Sequence, residues 1–416
     1  MSDTPLIRNR DFRLLLIGQT TSQLGAQVSG VAIPLLAVLT LDASPIELGL
    51  VTASSTVAFA LIGLPAGAWL DRWRKLPVLI ASDLVRAAVL ITVPVAAMLG
   101  ILTIGQLIVV SLLTGFARVF FDVGYQSYVP TVLGKDKVLA GNSFMETIRA
   151  SGQVVGPGVG GGLVALLGAA SVVLIQAATF VVSAACLLGI RTREAAIPVH
   201  PERPHLGAQI VEGLAFVARN RILRATAVAS AAGNFSFAIS SAVTFIFLSR
   251  TLELSPLLIG VIVAAGSIAA MVGAALTPVV SRRVGSVRII WLSLVVTGPL
   301  AILTPLAQPG WTVLLVVVAM AAGELGQIVY AVTNVSLRQR LCPDDILGRV
   351  NATMRVLIMG LFPLGAIVGG VLGELLGLRA TLWIAGALIL LSPIPLIRAF
   401  GGIRDVEALA AWRIER

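Results

Sequence analysis

Glu324 stands midway along an apolar run, VVVAMAAGELGQIVYAV, with no basic residue near it in sequence. An ionisable side chain at membrane depth is costly, so it counts as a functional candidate by default. A carboxyl placed there can take up and release a proton. The competing reading is a polar helix contact made through Gln327 or a structural pair with an arginine. Arg118, equally deep in another run, is expected to partner that carboxyl or to anchor a substrate. Asp83 and Arg86 share the inner half of a third run. These four are the proton-coupling candidates; Glu146 and Arg149 read as structural. Neutral polar groups form a second set. GQTTSQLGAQVSG (18–30) supplies Gln19, Gln23 and Gln27, and SAAGNFSFAISS (230–241) supplies Asn234, Phe235 and Phe237, with Asn234 aligned to Gln23. Amides beside aromatic rings suit a bulky amphipathic guest better than a sugar or a small ion. The same residues also serve as glue between helices.

Other chemistry is not supported. The only histidines, His200 and His205, lie in one polar loop, and the two cysteines, Cys186 and Cys342, form neither a metal set nor a disulfide framework. A membrane-embedded enzyme would need catalytic residues paired within the apolar runs, and none are. No Gly-xxxx-Gly-Lys-Ser/Thr loop occurs, so ATP is not the expected energy source. No cofactor and no metal is expected. A receptor or scaffold is a further, weaker reading.

The elements that must carry these residues are membrane spans. The 416 residues are 57% hydrophobic and 12% charged, against roughly 45–50% and about 25% in a soluble domain. Twelve apolar stretches are long enough to cross a bilayer, over about 12–41, 46–70, 77–99, 104–128, 141–167, 170–190, 223–249, 257–280, 287–305, 311–333, 351–375 and 380–399. The first is too long for a signal-peptide core and is expected to stay. The net charge of +10 falls between spans, not in a stripe with interleaved aromatics, so nucleic acid is not an expected partner. With a cytoplasmic N-terminus, only Arg250 and Arg379 of the 30 Lys and Arg fall at outward connections. The positive-inside bias therefore puts both termini in the cytoplasm.

The chain repeats itself. RNRDFR (8–13) returns as RNRILR (219–224) and SPIELG (44–49) as SPLLIG (255–260), both 211 residues on; GPGVGGGLVALLG (156–168) returns as GAIVGGVLGELLG (365–377), 209 on. Asn142 and Met145 match Asn351 and Met354 in that second register. Two six-span halves starting on the same side are a parallel repeat, with the substrate path expected at the interface of the halves and alternating access by rocking. The expected division is 1–190, a linker at 191–222, 223–400 and a cytoplasmic tail at 401–416. In the linker, Leu206, Ile210, Val211, Leu214 and Val217 form one stripe, which predicts an amphipathic helix lying at the membrane surface.

GAWLDRWRKLPVL (67–79) resembles the loop motif of the major facilitator superfamily, Gly-x-Leu-x-Asp-Arg-x-Gly-Arg-Lys-x-x-Leu. Gly67, Asp71, Arg72, Lys75 and Leu79 match, whereas Trp69, Arg74 and Leu76 depart from it. The resemblance implies that Asp71 belongs to a conformational latch steadying the outward-open state, with Asp122 joining Asp71 and Lys75. The second half has Arg282 where Asp71 would align, so the latch is one-sided. GQVVGPGVGG (152–161) is similar to the superfamily's fifth-span element of antiporter-type exporters, carried here by Gly152, Gly156, Pro157, Gly160 and Gly161. FFDVGYQSYVPTVLGKDKVLAGNSF (120–144) and DDILGRVNATMR (344–355) resemble the branch holding the enterobactin exporter and the macrolide-efflux permeases. The resemblance implies an all-α, twelve-span fold of that superfamily. It also implies a monomeric secondary transporter in the bacterial inner membrane, exporting an amphipathic organic compound (drug, antibiotic, siderophore or metabolite) in exchange for protons. An uptake symporter of the same fold is the alternative.

Overall fold

A computed structural model describes residues 9–70, 72–134, 138–192, 194 and 206–406. Twelve helices in it are long and apolar enough to cross a membrane. The first six spans are α1 (Arg10–Leu39), α2 (Pro45–Leu70), α3 (Lys75–Met98), α4 (Ile104–Leu133), α5 (Val138–Leu167) and α6 (Ala169–Leu188). A short helix, α7 (Leu206–Arg219), precedes α8 (Arg221–Ile246) and α9 (Pro256–Val284). The ninth span is α10 (Arg288–Thr297), a 3-10 turn over Gly298–Ile302 and α11 (Leu303–Leu306). Then come α12 (Val313–Leu341) and α13 (Asp344–Leu376), and the last span is α14 (Leu378–Leu391) continued by α15 (Ile394–Phe400).

All twelve predicted spans are present, and the departures have local causes. Pro299 and Pro305 lack the backbone N–H that a continuous helix needs, and the ninth span is broken beside them. Pro393 does the same to the twelfth. α4 and α12 run on to Leu133 and Leu341, past the predicted ends at 128 and 333, because apolar length measures only the part inside the bilayer. Several prolines that might have broken a helix lie inside one, Pro34, Pro65 and Pro157 among them. Neighbouring helices make that tolerable in a membrane.

By its contacts the chain divides into two compact units: Met1–Ala43 with Leu50–Glu202 and Leu254–Ala264, and Ser44–Gly49 with Arg203–Glu253 and Ala265–Arg416. The start of α2 thus belongs to the second unit and the start of α9 to the first. Repeated residues build repeated geometry in each. Asn9 caps α1 by accepting from the Asp11 and Phe12 amides at 3.0 and 3.1 Å. Asn220 caps α8 through Ile222 and Leu223 at the same distances. The recurring asparagine of RNRDFR and RNRILR is therefore a helix cap. The Glu194 carboxylate accepts from the Lys75 and Leu76 amides at the start of α3, at 2.8 and 2.7 Å. Asp405, 211 residues on, accepts from the Ser286 amide at 2.9 Å just ahead of α10. Asp42 and Glu253, also 211 apart, both take the left-handed conformation just before the Ser-Pro turn.

The linker helix exists, but its partner is not lipid alone. Gly213 presses against α13, where an added methyl would stand 2.9 Å from the Arg349 carbonyl oxygen, and Glu212 pairs with Arg349. Val217 is buried with Ile346, Val350 and Met354. The missing side chain of Gly213 lets α7 dock on protein, which the apolar stripe alone could not distinguish from lying on a bilayer.

Candidate functional site

In the first unit the charged candidates form two neighbouring pairs. Asp83 and Arg86, one turn apart on α3, make a salt bridge sealed from solvent, the carboxylate side chain at 0% exposure and the guanidinium side chain at 6%. The guanidinium lies between the Phe121 ring of α4 and the Phe180 ring of α6, 4.4 and 4.2 Å from their centroids. Ser183 of α6 lies against the carboxylate. Arg118 and Asp122 pair along α4 at 3.5 Å, with the Arg118 side chain 68% exposed. Both of their charges act on Arg86. The described partner of Asp122 is thus Arg118, one turn back. Glu146 and Arg149 pair with each other on α5.

Asp71 lies outside the described residues, and so do His200 and His205. Around it, Gly67 has open space where a side chain would be, Arg72 is exposed, and the Lys75 amide is held by Glu194. The fifth-span glycines divide between two neighbours. Gly152 faces Leu24, Gly156 faces Gln27, and Gly160 faces Val28 of α1, where an added methyl would stand 3.1 Å from the Val28 Cα. Gly161 turns instead to the start of α9, 2.9 Å by the same measure from the Gly260 Cα. The second unit repeats the glycine contacts: Gly365 and Gly369 pack on Phe235 and Ile239 of α8, and Gly370 meets Ile46 at the start of α2. The glycines explain close helix packing; in the repeat Leu361 stands at the register of Gly152 and Ala366 at that of Pro157, with the helix's own Pro363 nearly a turn earlier.

The neutral candidates are less uniform than their spacing suggested. The Gln19 carbonyl oxygen is buried and has no hydrogen bond among the described residues. Gln23 is half-buried, and Gln27 is a packing surface for Gly152 and Gly156. Asn234 donates back to the Ser230 carbonyl at 3.1 Å. Phe235 packs on Gly365, and Phe237, half-exposed, tilts against Phe362 with centroids 6.1 Å apart.

Glu324 stands by itself. It is half-buried on α12, it has no hydrogen-bond or ion-pair partner among the described residues, and no charged group acts on it. Its stem runs over Gly266 of α9. One turn and more below, the second unit holds a buried neutral network that the sequence reading missed. Tyr330 shares a hydrogen bond with Ser230 at 2.6 Å and donates to the Thr226 carbonyl at 3.2 Å, and Asn334 donates to the Tyr330 oxygen at 3.3 Å. A hydroxyl or amide every fourth residue on α8 and α12 was the available signal.

A chain of twelve spanning helices, built as two copies of one plan with ion pairs and lone polar groups at membrane depth, is a multi-pass membrane transporter, not an enzyme. The sequence profile of the Major Facilitator Superfamily matches residues 15–362, and the chain belongs to that superfamily. It is 30% identical over 380 residues to the multidrug efflux pump Tap of Mycolicibacterium fortuitum, covering 88% of this chain and 90% of that one. It is 26% identical over 405 residues to the uncharacterized MFS-type transporter YfiS of Bacillus subtilis (strain 168), covering 94% and 93%. Among solved structures it resembles the nucleoside transporter NupG, with a TM-score of 0.73 and 15% identity over 94% of this chain and 99% of that one. A bacterial homologue of the iron transporter ferroportin, inward-facing, gives 0.72 and 16% over 95% and 99%. At such identities the two structures speak for the fold alone.

Proposed function

We propose that this protein exports amphipathic organic compounds across a bacterial inner membrane in exchange for protons, with both termini in the cytoplasm. Likeness to a multidrug efflux pump over most of the chain supports export of drug-like molecules. The observation that carries the coupling is Glu324, a carboxyl midway along α12 with no counter-ion among the described residues. A buried acid paired with a cation cannot change its charge without leaving that cation buried and uncompensated. One without such a partner can alternate between a protonated and an open form. Asp83, by contrast, is held by Arg86, and Asp122 by Arg118.

The experiment is efflux in two steps. A susceptibility and dye-efflux screen of cells with and without the gene identifies a carried compound. Glu324→Gln, which keeps the shape and mimics the protonated acid, is then compared with wild type in proteoliposomes. Downhill exchange of that compound should persist while accumulation driven by a pH gradient is lost. Gradient-driven accumulation at the wild-type level would remove Glu324 from the mechanism. Accumulation with the opposite sign of gradient would make the protein a symporter.

A further inference from the structure

One contact that recurs in both halves is made with its partners exchanged. In the first unit, Gly115 of α4 packs on α2; a methyl added there would stand 2.9 Å from the Ser55 carbonyl oxygen and 3.5 Å from the Ala58 methyl. The register of 211 carries Ser55 to Gly266, and the register of 209 carries Gly115 to Glu324. In the second unit those two positions again meet. A methyl on Gly266 would stand 3.3 Å from the Glu324 Cγ and 3.9 Å from the Met320 carbonyl oxygen. The contact is thus kept with its partners exchanged: in the first half a glycine on the fourth span packs on the Ser55 backbone and the Ala58 methyl of the second, and in the second half a glycine on the second span packs on the Glu324 stem of the fourth.

The backbones leave little freedom to adjust. Two turns along α9, on the same face, a methyl on Gly273 would stand 3.0 Å from the Leu325 carbonyl oxygen. Helices that close cannot move apart to admit a second side chain without losing packing at Gly273. The space over Gly266 is the space the Glu324 stem uses.

We propose that Gly266 is the positioning residue for Glu324: by carrying no side chain it leaves on α9 the space that the Glu324 stem occupies. This rests on the reading of Glu324 as the coupling acid for its meaning in transport, but the geometry is testable without transport. On α9 the Glu324 stem lies over Gly266, and no titratable side chain among the described residues acts on the carboxyl.

The probe is dicyclohexylcarbodiimide, an apolar reagent that modifies protonated carboxyls, applied across a pH series to the purified full-length protein. Modification at position 324 is read by mass spectrometry, with Glu324→Gln as the blank. Gly266→Ala should change the labelling rate at Glu324 about fivefold, the equivalent of an off-rotamer cost on the order of 1 kcal/mol at about 1.4 kcal/mol per tenfold. Gly233→Ala, where a methyl meets open space, should change nothing. Gly266→Ser with Glu324→Gly transplants the pair found in the first half, and should recover the thermal stability that Gly266→Ser alone loses. Wild-type labelling rates in Gly266→Ala would overturn the proposal, as would a double variant no more stable than Gly266→Ser. If Gly266→Ser fails to fold and the double variant folds, the clash lies at Glu324 and the proposal stands. If neither folds, position 266 is closed to side chains for another reason and the proposal falls. Failure of the gradient-driven assay for Glu324→Gln, with these labelling results intact, would remove the coupling role and leave the positioning.

Discussion

Asp83→Asn removes one charge from a sealed pair and almost no volume, so its consequence can be worked from what remains. The Arg86 guanidinium stays between the Phe121 and Phe180 rings at 4.4 and 4.2 Å, and Asp122 still acts on it from α4. Those attractions exist before and after the change and therefore do not offset it. Deleting one partner of a buried pair typically costs about 3–5 kcal/mol because the other charge is left uncompensated. The rings and Asp122 keep Arg86 from being wholly abandoned, which favours the lower end, about 3 kcal/mol. For a domain of roughly 200 residues at about 2–4 °C per kcal/mol, that is a fall in melting temperature of about 6–12 °C. The assay is thermal unfolding of the purified protein in detergent, followed by size-exclusion chromatography. Its essential companion is Asp83→Leu with Arg86→Met, because replacing both charges with apolar groups of similar size is commonly neutral or stabilising. The pair as a structural staple predicts an unstable single variant and a restored double variant with transport intact. A single variant of wild-type stability that no longer couples to a pH gradient would refute that reasoning and make Asp83 a proton carrier.

Two further predictions concern the frame. A reporter active only in the periplasm should be silent when fused after Gly402 and active when fused near Leu254; the reverse pattern would invert the orientation read from the basic residues. Asn220→Ala removes the acceptor for two α8 amides and should cost about 1 kcal/mol, measured as a small drop in melting temperature that Asn220→Asp restores, whereas an unchanged melting temperature would show that the cap contributes nothing to stability.

How far the sequence could reach depended on whether a signal was local. Span length, the fifth-span glycines and the recurring asparagines are carried within a few residues, and all were legible. The ring sandwich around Arg86 was not, because Phe121 and Phe180 come from helices far apart in the chain. Glu194 and Asp405 were passed over because each looks like an ordinary charge at the end of a polar stretch. Their 211-residue separation, the register already visible in two other pairs, was the unused clue. Tyr330 and Asn334 were not legible by residue type, because a neutral network announces itself only through spacing. Gln27 shows a second layer that residue type did not suggest: its backbone and stem are packing surface for Gly156 and Gly152.

The repeat is preserved where the chain must end helices and eroded where it must do chemistry. Asn9 and Asn220 keep both type and geometry, and Glu194 and Asp405 keep a carboxylate in the same role. At membrane depth the same registers set Gln19 against Ser230, Phe121 against Tyr330, Tyr125 against Asn334 and Gly115 against Glu324. The second unit answers that stretch with hydroxyls and an amide that satisfy one another. The Gln19 oxygen and the Tyr125 hydroxyl remain without hydrogen bonds among the described residues. Among the described residues, Asp83–Arg86 and Arg118–Asp122 of the first unit fall on uncharged positions in the second, and Glu324, with no ion-pair partner, falls on Gly115 in the first. A scaffold needs its ends to match because both halves must cross the same bilayer in the same sense. A coupled cycle needs the opposite, since two identical proton sites would load and empty together and give the cycle no direction in which ion and substrate alternate. Divergence at the depth of Glu324 is what a duplicated frame turned to a coupled task should contain.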